Sequence, residues 1–213
     1  MIKQYFSNTY DRAKQEPLIY AGMFFLIAYG FITTTIGGFQ LSFFIGFTGA
    51  YLLIFGITKF TSYQQYKTIQ TFDNKDAIKE TELLVTKRIA IVTAILSFMH
   101  FSFVIVVTFF HKEDPANYTL FMIYWIGGFA IANIIISVIN AIRARKNNSS
   151  IFKCLKLIDL SNTLISLSLA QRTIIHFAGH PQATLISAIG GIFFSLCAFA
   201  VCLFMFKKVR VNR

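Results

Sequence analysis

Acidic residues, cysteine and proline are all scarce in this chain of 213 residues. Nine Asp and Glu stand against 20 Lys and Arg, only 14% of residues are charged, and there are three prolines and three cysteines. Soluble domains carry about 25% charged residues, so a surface this poor in charge does not suit a water-soluble globule. Cys154, Cys197 and Cys202 form no CxxC pair, which argues against a disulfide framework or metal cluster and reads as three buried, apolar-type thiols. Nucleophile elbow, P-loop, HExxH and glycine-rich dinucleotide signatures are missing, so neither an enzyme nor a bound cofactor has support in the sequence. RNP, zinc-finger and helix-turn-helix patterns are missing too. The net charge of +11 sits in short clusters at the ends of apolar runs, which argues against nucleic acid and for a lipid bilayer with anionic cytoplasmic headgroups.

What the chain has in abundance is apolar length. With 55% hydrophobic residues and 25 phenylalanines, it contains six runs, Leu18 to Ile36, Leu41 to Phe60, Ile89 to Phe110, Tyr118 to Ile142, Leu157 to Ala178 and Thr184 to Phe206. Each approaches or exceeds the roughly 20 residues that cross about 30 Å of hydrocarbon. If Met1 starts on the cytoplasmic face, all Lys and Arg residues except Lys112 and Arg172 fall on that side, so both termini are predicted to be cytoplasmic. The first run follows Asp11, Glu16 and Pro17 and has no small-residue cleavage site, so it reads as a retained helix. The predicted fold class is an all-α integral membrane protein, a six-transmembrane-helix bundle forming a single membrane domain over residues 1–213. A multi-pass place in the cell membrane follows.

The connections carry their own signals. Residues 1–16 are polar, with Tyr5, Phe6 and Tyr10 placed to lie at headgroup level, and Pro17 precedes the first run, where its missing N–H costs nothing. Gly37 and Gly38 are expected to make a tight outer reversal. The cytoplasmic connection 61–88 has a turn near Asp73 and Asn74 and a helical stretch from Asp76 to Leu84; it reads as a polar extension of two helices, with a docking surface as the sharper alternative. An outer loop holds His111, Glu113 and Asp114, which need geometry from another element before they form a metal site. Asn147 to Ser150 make an inner turn, and His180 and Pro181 an outer break. Ala183, Ser187, Gly191 and Ser195 recur every four residues and define a close-packing face, as do Gly46 and Ala50, while Gly127 and Gly128 are expected to soften the fourth helix.

The fifth run is the unusual one. Asp159, Ser161, Asn162, Thr163, Ser166, Ser168, Gln171, Arg172, Thr173 and His176 all fall in or beside it. At 100° per residue Asn162, Ser166 and Thr173 share a face, with Asp159 near it, and such a face belongs away from lipid. Asp159 is the one acidic residue inside a run, about 3 Å past its inner boundary. It reads as an inner-interface anchor reaching headgroups or Lys156. Arg172 lies about 20 Å further along, too far to pair with it, and either snorkels outward or uses its planar donor fork on an anionic or carbonyl-bearing ligand. His100 falls near mid-membrane in the third run, where an imidazole is most easily kept neutral. With Asn133 of the fourth run and Asn162, Ser166 and Arg172 of the fifth, it makes the candidate ligand-binding set.

Two functional readings emerge. A polar fifth helix facing His100 and Asn133 points to a small membrane transporter or transport-complex subunit, acting on a small molecule or lipid that the residues do not name. Small-residue faces and the 61–88 connection point instead to a non-catalytic interaction or assembly protein, partnered by another membrane protein or by a second copy of itself.

Overall fold

The computed structural model describes residues 2–71, 74–110, 119–144, 150–179 and 181–211, and only the backbone of residues 2–19, 75, 108, 110, 141, 143, 144, 150, 152 and 206–211. His111, Glu113, Asp114, Asp73, the turn at 145–149 and His180 lie outside the described residues, as do the side chains of Tyr5, Phe6 and Tyr10. Six helices follow one another: α1 (Ile2–Phe39), α2 (Phe43–Ile69), α3 (Lys75–Phe110), α4 (Leu120–Ala144), α5 (Ser150–Phe177) and α6 (Ala183–Val211). Where successive helices touch, their contacts run in opposite directions along the two. Gly30 meets Leu53 while Gly37 meets Gly46, Tyr51 and His100 have ring contact, and Gln171 reaches the carbonyl of Ile186. The start of α1, the end of α2 and the Asn140 and Asp159 ends of α4 and α5 therefore share one end of the bundle. That is the basic end.

Exposure is inverted relative to a soluble protein. Phe24, Phe31, Phe43, Phe98, Phe121, Ile131, Phe193 and Phe204 face outward, whereas Thr48, Ser97, His100, Ser161 and Ser195 are buried. Large exposed apolar surfaces around a partly polar interior are stable only where the surroundings are themselves apolar. Among the described residues, α1 from Tyr20, α2, α3, α4 and α6 are long and apolar enough to cross a membrane. The chain is thus an all-helical, multi-spanning membrane bundle, as expected of a multi-pass protein of the cell membrane.

The fifth helix is long enough to span, at about 42 Å for 28 residues, but too polar to count among those five. Its position gives the reason. It packs against α2, α3, α4 and α6, so it has little lipid-facing surface and need not be apolar all round. Ile158, Ile165 and Leu169 fill the gaps between its buried Asp159, Ser161, Asn162, Thr163, Ser166, Ser168, Arg172 and Thr173.

Four details differ from the sequence reading. First, helix bounds are wider than the apolar runs: α2 extends to Ile69 and α3 begins at Lys75, in the extension of two helices expected over 61–88, and Asn74 Oδ1 accepts the N–H of Asp76 at 2.9 Å to start α3. Second, α1 is helical through Pro17 rather than starting after it. Third, Gly37 and Gly38 lie within α1. The reversal uses Leu41, at φ 54°, and Ser42, whose Oγ caps Ile45 N. Gly37 serves packing instead, because a Cβ there would strike the Gly46 backbone; Gly30, Gly49 and Gly56 complete this close α1–α2 seam. Fourth, a Cβ on Gly127 or Gly128 would meet nothing within 4 Å, and α4 runs through both without interruption. On α6, Gly191 does pack closely, against Val104 and Ser168, with Ser187 and Ser195 buried on the same face.

Candidate functional site

Polar side chains of α5 are distributed around it by helical spacing, and each neighbour answers a different set. Towards α4 they form a ladder. Asn140 Nδ2 donates to Asp159 Oδ2 at 2.9 Å, Ser137 and Thr163 hydroxyls share a hydrogen bond at 2.6 Å, and Asn133 Nδ2 donates to Ser166 Oγ at 3.0 Å. The three rungs follow from steps of three or four residues on both antiparallel helices. Thr163 and Ser166 also donate to the carbonyls four residues back, Asp159 O at 2.8 Å and Asn162 O at 2.9 Å. Their hydroxyls are thereby satisfied inside the bundle, where each interhelical bond of this kind is worth about 0.6 kcal/mol.

At the basic end the ladder meets a charge. Lys59 Nζ of α2 donates to Asp159 Oδ1, and both residues are buried, at 5% and 6% exposure. Asp159 therefore uses both oxygens, one for Lys59 and one for Asn140. The neighbouring Lys156 turns to the carbonyl of Asn140 at 2.5 Å. The sequence reading placed Asp159 as an anchor near Lys156 and missed Lys59. A lysine at the inner end of an apolar run reads as an ordinary positive-inside charge, yet Lys59 and Asp159 stand at matching depth in their runs.

Beside this pair lies a cavity of about 500 Å³, within the range typical of ligand pockets. One wall is α1, through Ala21, Gly22, Phe24, Phe25 and Ala28, which share a face by helical spacing; the other is Ile136, Ile139 and Asn140 of α4. Lys59, Leu155, Lys156 and Asp159 form the floor. Phe25 packs on Phe129 with ring centroids 5.2 Å apart and Tyr29 on Trp125 at 5.7 Å, so aromatic contacts join α1 to α4 on the side away from the basic end. Rim residues Phe24 and Ile139 are exposed, so the mouth lies on the outer surface of the bundle, where hydrocarbon would be. The result is a lateral, mostly apolar cleft with a charged floor.

The sequence-derived ligand set is not gathered in this cleft. Asn133 and Ser166 bond to each other. His100 Nδ1 shares a hydrogen bond with Ser195 of α6 at 2.9 Å, and its ring is 5.3 Å from that of Tyr51. Asn162 is buried, with Oδ1 lacking a hydrogen-bond partner among the described residues. Arg172 is 3% exposed, and its guanidinium lies over the Phe44 ring at 4.2 Å, an inward stack on α2 rather than an outward snorkel. His100, Asn162 and Arg172 are thus interior groups, while the expected anchor Asp159 and its neighbour Lys156 line the cleft.

Fold and cleft together define a polytopic, all-helical membrane protein built around a polar central helix. Comparison of the chain with protein-family models, with curated proteins and with solved structures gave no match.

Proposed function

We propose that the chain is a small membrane transporter, or the membrane subunit of a transport complex, whose substrate enters sideways from the bilayer through the cleft between α1 and α4. The observation that carries this reading is the Lys59–Asp159 pair buried on the cleft floor. A buried ion pair is a poor way to gain stability, because apolar residues of similar volume often do as well or better. Ionisable groups within a membrane bundle are instead typical of substrate and ion pathways. In this reading all six helices cross, including α5, both termini are cytoplasmic, and residues 1–213 form one membrane domain. The basic end then faces anionic headgroups. Asn162, Ser166, Asn133, His100 and Arg172 supply a polar interior that leads away from the floor along α5, and a substrate headgroup is passed along it when the helices shift.

Reconstitution tests it. Liposomes containing the purified protein are expected to move at least one fluorescent amphiphile, among a fatty acid, an alkyl amine and a phospholipid, between leaflets faster than empty liposomes. No movement of any of the three would remove the transport reading. The assembly alternative rests on a separate observation: the end of α2 and the start of α3 form a helical hairpin with Gln64, Gln65, Thr68, Lys79, Glu80 and Leu84 exposed. A stoichiometric partner captured from mild detergent through this hairpin, together with absence of flux, would favour it.

A further inference from the structure

A serine hydroxyl has one proton to give. Ser195 Oγ gives it to the carbonyl of Gly191 at 2.7 Å, four residues back on α6, so in its 2.9 Å contact with His100 Nδ1 it can only accept. His100 Nδ1 therefore carries the hydrogen. What a neutral imidazole has left is a bare lone pair on Nε2. That atom belongs to a fully buried residue and has no hydrogen-bond partner among the described residues. An acceptor so placed is destabilising unless something donates to it. The surroundings are polar on every side. The Tyr51 ring of α2 lies 5.3 Å from that of His100, with its hydroxyl beside Ser97, which in turn contacts Cys202 of α6 at 3.6 Å. Thr48, one turn along α2 from Tyr51, and Ser168 of α5, against Gly191 and Val104, add two buried hydroxyls whose oxygens have no partner among the described residues.

Charge and space decide what the donor is. Of the titratable and charged groups on α2, α5 and α6, the three helices packed against α3, Tyr51 and Cys202 face this level. Asp159 lies at the level of Lys59, about 12 Å along α2 from Tyr51, and is bonded to Lys59 and Asn140. Arg172 lies at the level of Phe44, about 10 Å the other way. An imidazolium here would have no counter-ion among the described residues, so the occupant of the lone pair is a neutral donor and not a proton. It is also small, because the junction is close-packed: a Cβ on Gly191 would already press on Val104 at 2.9 Å. We infer that His100 Nε2 binds a water molecule near the middle of the membrane, which donates to that lone pair and accepts from the hydroxyl of Thr48 or Ser168. Neither α3 nor α6 lines the α1–α4 cleft, so this is a second site, and it stands whether or not a substrate enters there.

Nitrogen-15 NMR of the full chain in lipid nanodiscs, labelled at histidine, tests it. The His100 signals are those lost in His100→Asn. At neutral pH the expected result is a protonated Nδ1, a bare Nε2, and magnetisation passing from water to the His100 ring. The Nε2–H tautomer, protonation of both nitrogens, or the expected tautomer without transfer from water would each overturn the inference. Ser195→Ala removes the acceptor for Nδ1–H, so the Nε2–H tautomer should gain population and transfer from water should fall, whereas Ser195→Thr keeps a hydroxyl and should preserve both. An unchanged His100 tautomer in folded Ser195→Ala would contradict the assignment. Radiolytic labelling of the wild type needs no variant, because hydroxyl radicals made from a bound water oxidise the side chains beside it however deep they lie. Tyr51 is expected to be oxidised several times faster than Tyr29, which is equally buried, at 3% exposure against 2%, but stacked on Trp125 and Phe129. Equal rates at the two tyrosines would overturn the site even if every variant failed to fold.

Discussion

Lys59 and Asp159 stand 100 residues apart in the chain and share a buried hydrogen bond that ties α2 to the central helix α5. Asp159 then passes the connection on to Asn140 of α4, so three helices meet at one carboxylate. Removing one partner leaves the other charge buried. Lys59→Met and Asp159→Leu are each expected to lower stability by about 3–5 kcal/mol, whereas the double replacement should return close to wild type. Thermal unfolding followed through the fluorescence of Trp125, the single tryptophan, measures all three. A double variant as unstable as either single one would assign the pair a structural role.

The α1–α2 seam makes a sharper packing prediction. A Cβ on Gly49 would strike the backbone of Thr34, but one on Gly46 would sit 3.8 Å from its nearest neighbour, in ordinary contact. Gly49→Ala is expected to cost about 1–3 kcal/mol through overpacking. Gly46→Ala and Gly128→Ala should be neutral or stabilising by up to about 1 kcal/mol, since alanine favours helix. The thermal midpoint checks each, and equal losses at the three sites would mean that the helices are not packed through these glycines.

Much of this was legible in the sequence, and the omissions have physical causes. Apolar length announced the helices, and the polar fifth run announced its own burial, because serine, asparagine and arginine at those positions have no stable place against lipid. Helical extension over 61–88 was legible in the run Asp76 to Leu84 but its bounds were not, since a helix leaving the membrane needs no apolar run to mark where it stops. Gly37 and Gly38 beside a short connection imitated a turn while Leu41 took the left-handed conformation. Lys59 was hidden by its company, one basic residue among many at the inner ends. Only Asp159, as the single acidic residue within a run, hinted that a cation at the same depth was waiting on another helix.

Leu41 supplies a local test. At φ 54° it occupies a region that costs an L-residue about 1–2 kcal/mol, and it is exposed, so little packing is lost on truncation. Leu41→Gly is expected to hold or raise stability, by up to about 1 kcal/mol after glycine's own entropy cost, with the thermal midpoint as the readout. Leu41→Val should lower it, because branching at Cβ makes positive φ worse. A loss with glycine equal to that with valine would mean that this turn is not held in the left-handed conformation.

Arg172 distinguishes an interior stack from a snorkelling charge. Over the Phe44 ring its planar guanidinium offers cation–π contact that lysine reproduces poorly. Arg172→Lys and Arg172→Gln should both destabilise, by about 0.5–2 kcal/mol for the stack, and Phe44→Leu should give a similar loss. Double-variant cycles between positions 44 and 172 measure the coupling. A silent Arg172→Lys with no coupling to Phe44 would place the side chain at the outer headgroups.

Topology is open to labelling. With Cys154, Cys197 and Cys202 replaced by serine or alanine, single cysteines at positions 74 and 148 should react with impermeant maleimide only from the cytoplasmic side, and those at 38, 115 and 181 only from outside. External reaction at 74 or 148 would invert the arrangement, and reaction at 148 and 181 from the same side would mean that α5 does not cross.

The most direct measurement compares amphiphile translocation by the wild type with that of the Lys59→Met, Asp159→Leu double variant in the same liposomes. The expected result is a double variant that inserts and unfolds like the wild type but moves the amphiphile no faster than empty liposomes. Translocation at the wild-type rate by the double variant would contradict a working role for the Lys59–Asp159 pair.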